Sequence, residues 1–255
     1  MKKVFIISKL ELLKMSRNQI VWFVCILSTF LLILMDMFNY FTIEEQLKMI
    51  QDFAFGLMNI ITLIIVVYLP VNLVKDDFSE KTIYTLLSTP INRNILLFGK
   101  ILAIIILIAF SLALNTCSLI IMLYFKGGTI SFQIFMAVSM IFLKNLTLVG
   151  YAFLFSVLPF SNIICTILTF FVYCIGSIKS YFITNLEDQI PLYVQIMQKT
   201  IFVAVPNFRI FDVVENITLG RHVTFEHLYN SFLHFLGISI IVYAFTCYFF
   251  NKKEL

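Results

Sequence analysis

Residues 53–74, FAFGLMNIITLIIVVYLPVNLV, run into residues 75–94, KDDFSEKTIYTLLSTPINRN, and then into residues 95–125, ILLFGKILAIIILIAFSLALNTCSLIIMLYF. Each apolar run is long enough to cross a hydrocarbon core of about 30 Å at 1.5 Å per residue. The block between them is dense in charge and broken by Pro90. An apolar run, a polar block and a second apolar run describe two membrane-crossing helices joined outside the bilayer.

The rest of the chain repeats that pattern. Of its 255 residues, 61% are hydrophobic and 13% charged, with a mean hydropathy of +0.99. A soluble domain of this length cannot bury so much apolar surface. A β-barrel would alternate apolar and polar residues over strands of about ten residues, and these runs are continuous. The sequence therefore predicts an all-α polytopic membrane protein, one domain over 1–255, with six spans: Ile20–Phe41, Phe53–Val74, Ile95–Phe125, Phe132–Leu158, Ile163–Ile183 and Tyr229–Phe250. The third and fourth are long and imply tilt or an interfacial extension. The basic start is followed by a charged amphipathic stretch, not by the short apolar core of a cleavable signal.

Charge predicts the orientation. Residues 1–19, 75–100 and 251–255 hold 11 of the 18 Lys+Arg, whereas residues 42–52, Lys126 and residues 184–228 hold 5. The positive-inside rule then puts both termini in the cytoplasm, in agreement with an even number of spans. The net charge of +4 is thus a topology signal, not a footprint for nucleic acid.

Two readings stand for residues 1–19, where Val4, Phe5, Ile7, Leu10, Leu12 and Leu13 interleave with Lys2, Lys3, Lys9, Glu11 and Lys14. One is an amphipathic helix in the inner membrane interface, its lysines toward lipid headgroups; the other is a basic anchor that fixes topology. Trp22 marks the border where the first span enters the bilayer. Thr42–Asp52 and the Lys126–Thr129 turn read as short external loops, and Pro159–Asn162 as a tight inner turn. The longest connection, residues 184–228, is external; within it Leu192–Val205 is apolar but too short to span, so it is either a helix lying on the membrane or a re-entrant element that Pro206 ends. Cys25, Cys117, Cys165, Cys174 and Cys247 are scattered through apolar segments without a paired motif and read as packing residues.

Catalytic signatures are missing. There is no phosphate-binding GxxxxGK[ST]: before Gly99-Lys100, Asn94 stands where the first glycine belongs, and Ile101 follows where Ser or Thr belongs. His222 and His227 are five residues apart, which is wrong for one helical face, and no metal site is expected. Adjacent carboxylates, such as Glu44-Glu45 and Glu187-Asp188, point about 100° apart on a helix and make no acid–base dyad. Asp36 and Lys144 fall within predicted spans, where an ionisable group is costly. Asp36 reads as interfacial. Lys144 shares a helical face with Thr147 and Tyr151, and that face is a candidate substrate path. In the blander and preferred reading, Phe132–Phe142 lies along the outer interface and Lys144 snorkels.

The inner block carries the strongest signal. Asp76–Leu87 is expected to form an amphipathic helix with Phe78, Ile83, Leu86 and Leu87 on one side and Asp77, Glu80, Lys81 and Thr85 on the other, closed by Pro90. The run Glu80-Lys81-Thr82-Ile83 … Leu86-Leu87-Ser88-Thr89-Pro90-Ile91 … Arg93, followed by Gly99-Lys100, resembles the signature of ABC-2 type transporter permeases, with Lys81 where that family usually has glycine. The basic N-terminal stretch, the six spans, the long external segment and the ending Phe250-Asn251-Lys252-Lys253-Glu254-Leu255 extend the resemblance over the whole chain. Pro206-Asn207-Phe208 … Phe211-Asp212 resembles the NosY-like branch.

The resemblance implies a permease subunit of an ATP-driven ABC exporter, with no cofactor of its own. Its partners would be a cytoplasmic ABC ATPase holding ATP and Mg, a second permease chain, most simply an identical one, and membrane lipid. It implies that residues 75–94 form a cytoplasmic coupling segment, with Asp76, Glu80, Thr82, Leu86, Pro90 and Arg93 as its ATPase-facing residues, in the inner membrane of a bacterium. Two other classes stand beside this one. A membrane component of an ATPase-driven assembly or cofactor-maturation system would carry the same segment. An intramembrane enzyme would need polar residues converging at one depth, and the sequence offers none.

Overall fold

The computed structural model describes residues 2–17, 19–34, 42–79, 92–185, 205–218 and 223–252. The regular elements among them are helical: α1 (Lys2–Ser16), α2 (Gln19–Leu34), α3 (Ile43–Ser79), α4 (Arg93–Phe125), α5 (Phe132–Val157), α6 (Asn162–Asn185), a 3₁₀ turn (Phe208–Phe211), α7 (Val214–Thr218) and α8 (Phe225–Lys252). Five are long and apolar enough to cross a membrane: Glu45–Asp77 of α3, α4, α5, Asn162–Lys179 of α6, and α8. The first expected span is described as α2 up to Leu34, and residues 35–41, Asp36 among them, lie outside the described residues.

α3 is longer at both ends than the sequence reading. Thr42–Asp52, expected to be a loop, is helical from Ile43 onward. The reason is local. Thr42 and Glu45 form a capping pair, in which the Thr42 hydroxyl and backbone N–H both donate to Glu45 Oε2, at 2.8 and 3.4 Å. Gln46, Ile50 and Ala54 then form a buried stripe at i, i+4, i+8, so the polar-looking turn docks on the bundle. At the other end, Asp76–Ser79 continue α3 instead of opening a separate helix. Residues 80–91 lie outside the described residues.

α3 packs on α4 and α5, α8 packs on α5, and α6 on α5 and α3. α1 lies along α4. Contacts at helix ends define two poles. At one, Lys75 Nζ donates to Leu158 O and Phe160 O of the α5–α6 turn, both at 2.7 Å, and Arg93 Nη1 donates to Asn251 O of α8 at 3.1 Å. At the other, Val223 N donates to Gln133 Oε1 at 3.1 Å, and the Phe132 and Phe225 rings sit 6.5 Å apart. The end of α8 therefore lies at the first pole.

The bundle is lipophilic outside as well as inside. α6 exposes Ile163, Ile167 and Phe171, and α8 exposes Tyr229, Leu233, Ile240 and Phe245. In water such faces would aggregate; against lipid they are the required surface. Among the described residues, Asn145 Nδ2 of α5 donates to Thr62 Oγ1 of α3 at 2.9 Å.

Candidate functional site

The charged pole holds a buried ion cluster. Lys100 projects from the second turn of α4 and is only 2% exposed. Its Nζ donates to Glu11 Oε1 of α1 at 2.6 Å, to Asp77 Oδ2 of α3, and to Leu73 O of α3 at 3.2 Å. Lys14 of α1 adds a second cation on Asp77 Oδ1, at 3.3 Å. A buried lysine is tolerated only when opposite charge and hydrogen bonds replace its lost water, and here two carboxylates and a carbonyl do so. The cluster is formally neutral and ties three helices at one point. One atom is left over: Glu11 Oε2 is buried with no hydrogen-bond partner among the described residues. The clasp is therefore held by one oxygen of Glu11, with the other an uncompensated cost.

The residue before Lys100 explains how α1 gets close enough. A β-carbon placed on Gly99 would sit 2.5 Å from Ile7 Cγ2 and 2.8 Å from Ile7 Cβ, and 3.4 Å from Val4 O. Only glycine admits that approach. α1 buries Ile7, Ser8, Glu11 and Met15 on α4 while Phe5, Ile6, Leu10 and Leu13 stay exposed. Gly99-Lys100 thus acts as a seat and a latch for α1: the glycine lets the helix in, and the lysine holds Glu11.

The candidate coupling residues flank this cluster. Asp76 is half-buried in the last turn of α3, beside the buried Asp77, and Arg93 opens α4 and binds the end of α8. Glu80, Thr82, Leu86 and Pro90 lie outside the described residues. The structure adds residues that the sequence reading left out of the site: Glu11, Lys14, Lys75, Asp77, Gly99 and Lys100. Glu11 is the sole acid of α1, and that was the available signal. Its partner lies 89 positions away.

Lys144, Thr147 and Tyr151 are brought together on one face of α5, and all three are buried. α5 is one continuous helix from Phe132 to Val157. Lys144 therefore sits midway along a span rather than at an interface, and is 7% exposed instead of snorkelling. Its Nζ lies 5.1 Å from the centre of the Tyr173 ring of α6, a cation–π contact. The 3₁₀ turn that precedes exposed Asp212 sets the Phe208 ring 6.1 Å from the Tyr173 ring. Thr147 spends its hydroxyl on Lys144 O, at 2.6 Å, and the Tyr151 ring neighbours Phe155 at 6.4 Å.

Asp212 is positioned by the segment before α7. Asn207 Oδ1 accepts from Arg209 N at 3.2 Å and starts the 3₁₀ turn, which drives Phe208 and Phe211 into the core. Gly176 of α6 makes room: an added β-carbon would meet Phe208 Cδ2 at 2.5 Å and Pro206 O at 2.7 Å. His227 Nε2 is 2.9 Å from Ile210 O, so this histidine supports the same segment. His222 lies outside the described residues, and no group of three metal-binding side chains occurs among those described. The five cysteines are unpaired with one another.

A family model described as an ABC-2 family transporter protein matches residues 7–185 of the chain, more than half its length. The matched stretch contains Glu11, Asp77, Arg93, Gly99, Lys100 and Lys144 but ends before Pro206–Asp212, so it identifies the family and not a branch of it. No curated protein matches the chain.

Proposed function

The chain belongs to the ABC-2 family of transporter proteins, and from that premise we propose that it is the permease subunit of an ATP-driven exporter. Membership makes it an integral membrane component of an ABC transporter. In our reading a separate cytoplasmic ATPase holds ATP and Mg and docks on residues 75–94, using Asp76, Glu80, Thr82, Leu86, Pro90 and Arg93. Two copies of the chain pair in a bacterial inner membrane, with both termini of each in the cytoplasm.

The observation that carries this reading is the ion cluster at the two roots of the coupling segment. Residues 80–91 leave α3 just after Asp77 and enter α4 just before Arg93 and Lys100. A push on them reaches α1 through Lys100–Glu11, the α5–α6 turn through Lys75, and the end of α8 through Arg93. Rigid helices then carry that shift toward the opposite pole. Cargo would pass where α5 parts from its neighbours, along Lys144, Thr147 and Tyr151, a face that is closed in this state.

The test uses the chain reconstituted with its ATPase in liposomes. Glu80→Ala combined with Arg93→Ala is expected to lower both ATPase association and cargo-stimulated ATP turnover. Wild-type association together with wild-type turnover in that double variant would overturn the assignment of residues 75–94.

A further inference from the structure

Near the clasp, α1, α2 and α4 do not close on one another. They leave an open groove of about 320 Å³, whose walls include Leu12, Leu13, Trp22, Ile106 and Phe110. Among the described residues, Lys9 is the one charged side chain lining it. The volume lies at the low end of sites that hold small ligands, roughly 300–1,000 Å³, which suits a single hydrocarbon chain. The groove opens onto the lipid-facing belt: Leu13, Trp22, Phe23, Ile26 and Phe110 are all exposed. Trp22 has already satisfied its indole N–H by donating to Ser16 O at 2.6 Å, so its ring asks for apolar contact alone.

The charge around the groove is one-sided. α1 carries Lys2, Lys3, Lys9 and Lys14, with Arg17 just after it, against one acid, Glu11. That acid is buried on Lys100, and Lys14 is engaged with Asp77. Exposed Lys9 has no ion-pair or hydrogen-bond partner among the described residues. An apolar slot, a tryptophan at its wall and an unpaired cation at its edge match a molecule with a hydrocarbon chain below a negative headgroup.

We propose that this groove holds one anionic phospholipid of the surrounding leaflet, with an acyl chain against Trp22 and Phe110 and its phosphate on Lys9. The lipid completes the wall between α1 and α2, and so braces the helix that the Lys100 clasp also holds. The site requires the chain to lie in a bilayer and does not depend on ATPase docking.

The chain has a single tryptophan, and it lines the groove. Its fluorescence therefore reports lipid at this site and can be quenched by bromine-labelled acyl chains. The full chain is placed in phosphatidylcholine vesicles, and brominated phosphatidylglycerol or brominated phosphatidylcholine is added at equal mole fractions. The expected result is about fivefold tighter apparent binding of the phosphatidylglycerol, the factor given by about 1 kcal/mol of attraction between one lysine and an anionic headgroup. Lys9→Gln should bring the two lipids level. Lys3→Gln, which removes the same charge from the same helix away from the groove, should keep the preference. Equal quenching by both lipids in the unaltered protein overturns the proposal, as does a Lys3→Gln effect as large as that of Lys9→Gln.

Discussion

Lys100 and Lys144 are both buried in the helical bundle, 2% and 7% exposed, and they are stabilised in different ways. Lys100 meets two carboxylates from two other helices. Lys144 lies over an aromatic ring, and no carboxylate stands within ion-pair distance of it among the described residues. The first arrangement is directional and joins α1, α3 and α4. The second is diffuse and demands little of its partner's position. A joint that must transmit movement needs the first kind. A buried face that must part from its neighbours is better served by the second, because separating a ring from a cation strands no opposite charge.

The comparison breaks most sharply under the same substitution at both sites. Lys100→Met leaves Glu11 and Asp77 buried beside each other, with Lys14 on one of them, and should cost about 3–5 kcal/mol of stability. Adding Glu11→Gln and Asp77→Asn should recover most of that loss, because the stranded charges disappear with the lysine. Lys144→Met strands no carboxylate and exchanges a cation for an apolar chain of similar length. It should change stability by less than about 1 kcal/mol. Denaturation of the purified protein in mixed micelles measures both. Equal losses at the two positions would refute the distinction between joint and sliding face.

Glycines sharpen the comparison at the next level of magnitude. Gly99 seats α1 at the charged pole and Gly176 seats the Pro206–Phe211 segment. Alanine favours a helix over glycine by up to about 1 kcal/mol, so each clash must first exceed that gain. Overpacking costs about 1–3 kcal/mol, and a net loss is expected at both. The rescue should differ. At Gly99 the contacts within 3 Å are Ile7 Cγ2 and Ile7 Cβ, so adding Ile7→Gly, which removes both atoms, to Gly99→Ala should relieve the clash. At Gly176 one contact is the carbonyl oxygen of Pro206, which no side-chain change removes. Phe208→Ala should therefore fail to rescue Gly176→Ala.

How much of this was legible in the sequence depends on the range of the interaction. The long apolar runs announced the helices, because a membrane span is recorded in consecutive residues. The Thr42–Glu45 cap was equally local and readable, but the surrounding polar residues disguised the first turns of α3 as a loop. The setting of Lys144 is not legible in the sequence, because it follows from the continuity of α5, and an apolar run with one lysine fits a bent interfacial path just as well. Glu11 and Lys100 were invisible as a pair: they are 89 residues apart, and neither is unusual alone. The motif pointed to Gly99-Lys100 as a unit, but the reason the two belong together is the packing of α1, which only the fold supplies.

The smallest expected effect probes whether neutral polar links share the work of the clasp. Asn145 donates to Thr62 Oγ1 across α3 and α5, and the same Nδ2 also donates to Ile141 O of its own helix at 2.8 Å. Thr62→Val keeps the shape and removes the acceptor. Asn145 keeps one amide hydrogen on Ile141 O, but the hydrogen that met Thr62 Oγ1 loses its acceptor, so the loss should lie between the average and the maximum for hydrogen bonds between membrane helices, about 0.6 to 1.7 kcal/mol. Cargo-stimulated ATP turnover should stay at the wild-type level, since this link lies between α3 and α5 and does not touch α1. Should Thr62→Val uncouple ATP turnover from cargo as strongly as Lys100→Met, the transmission would run through the core of the bundle and not through its charged pole.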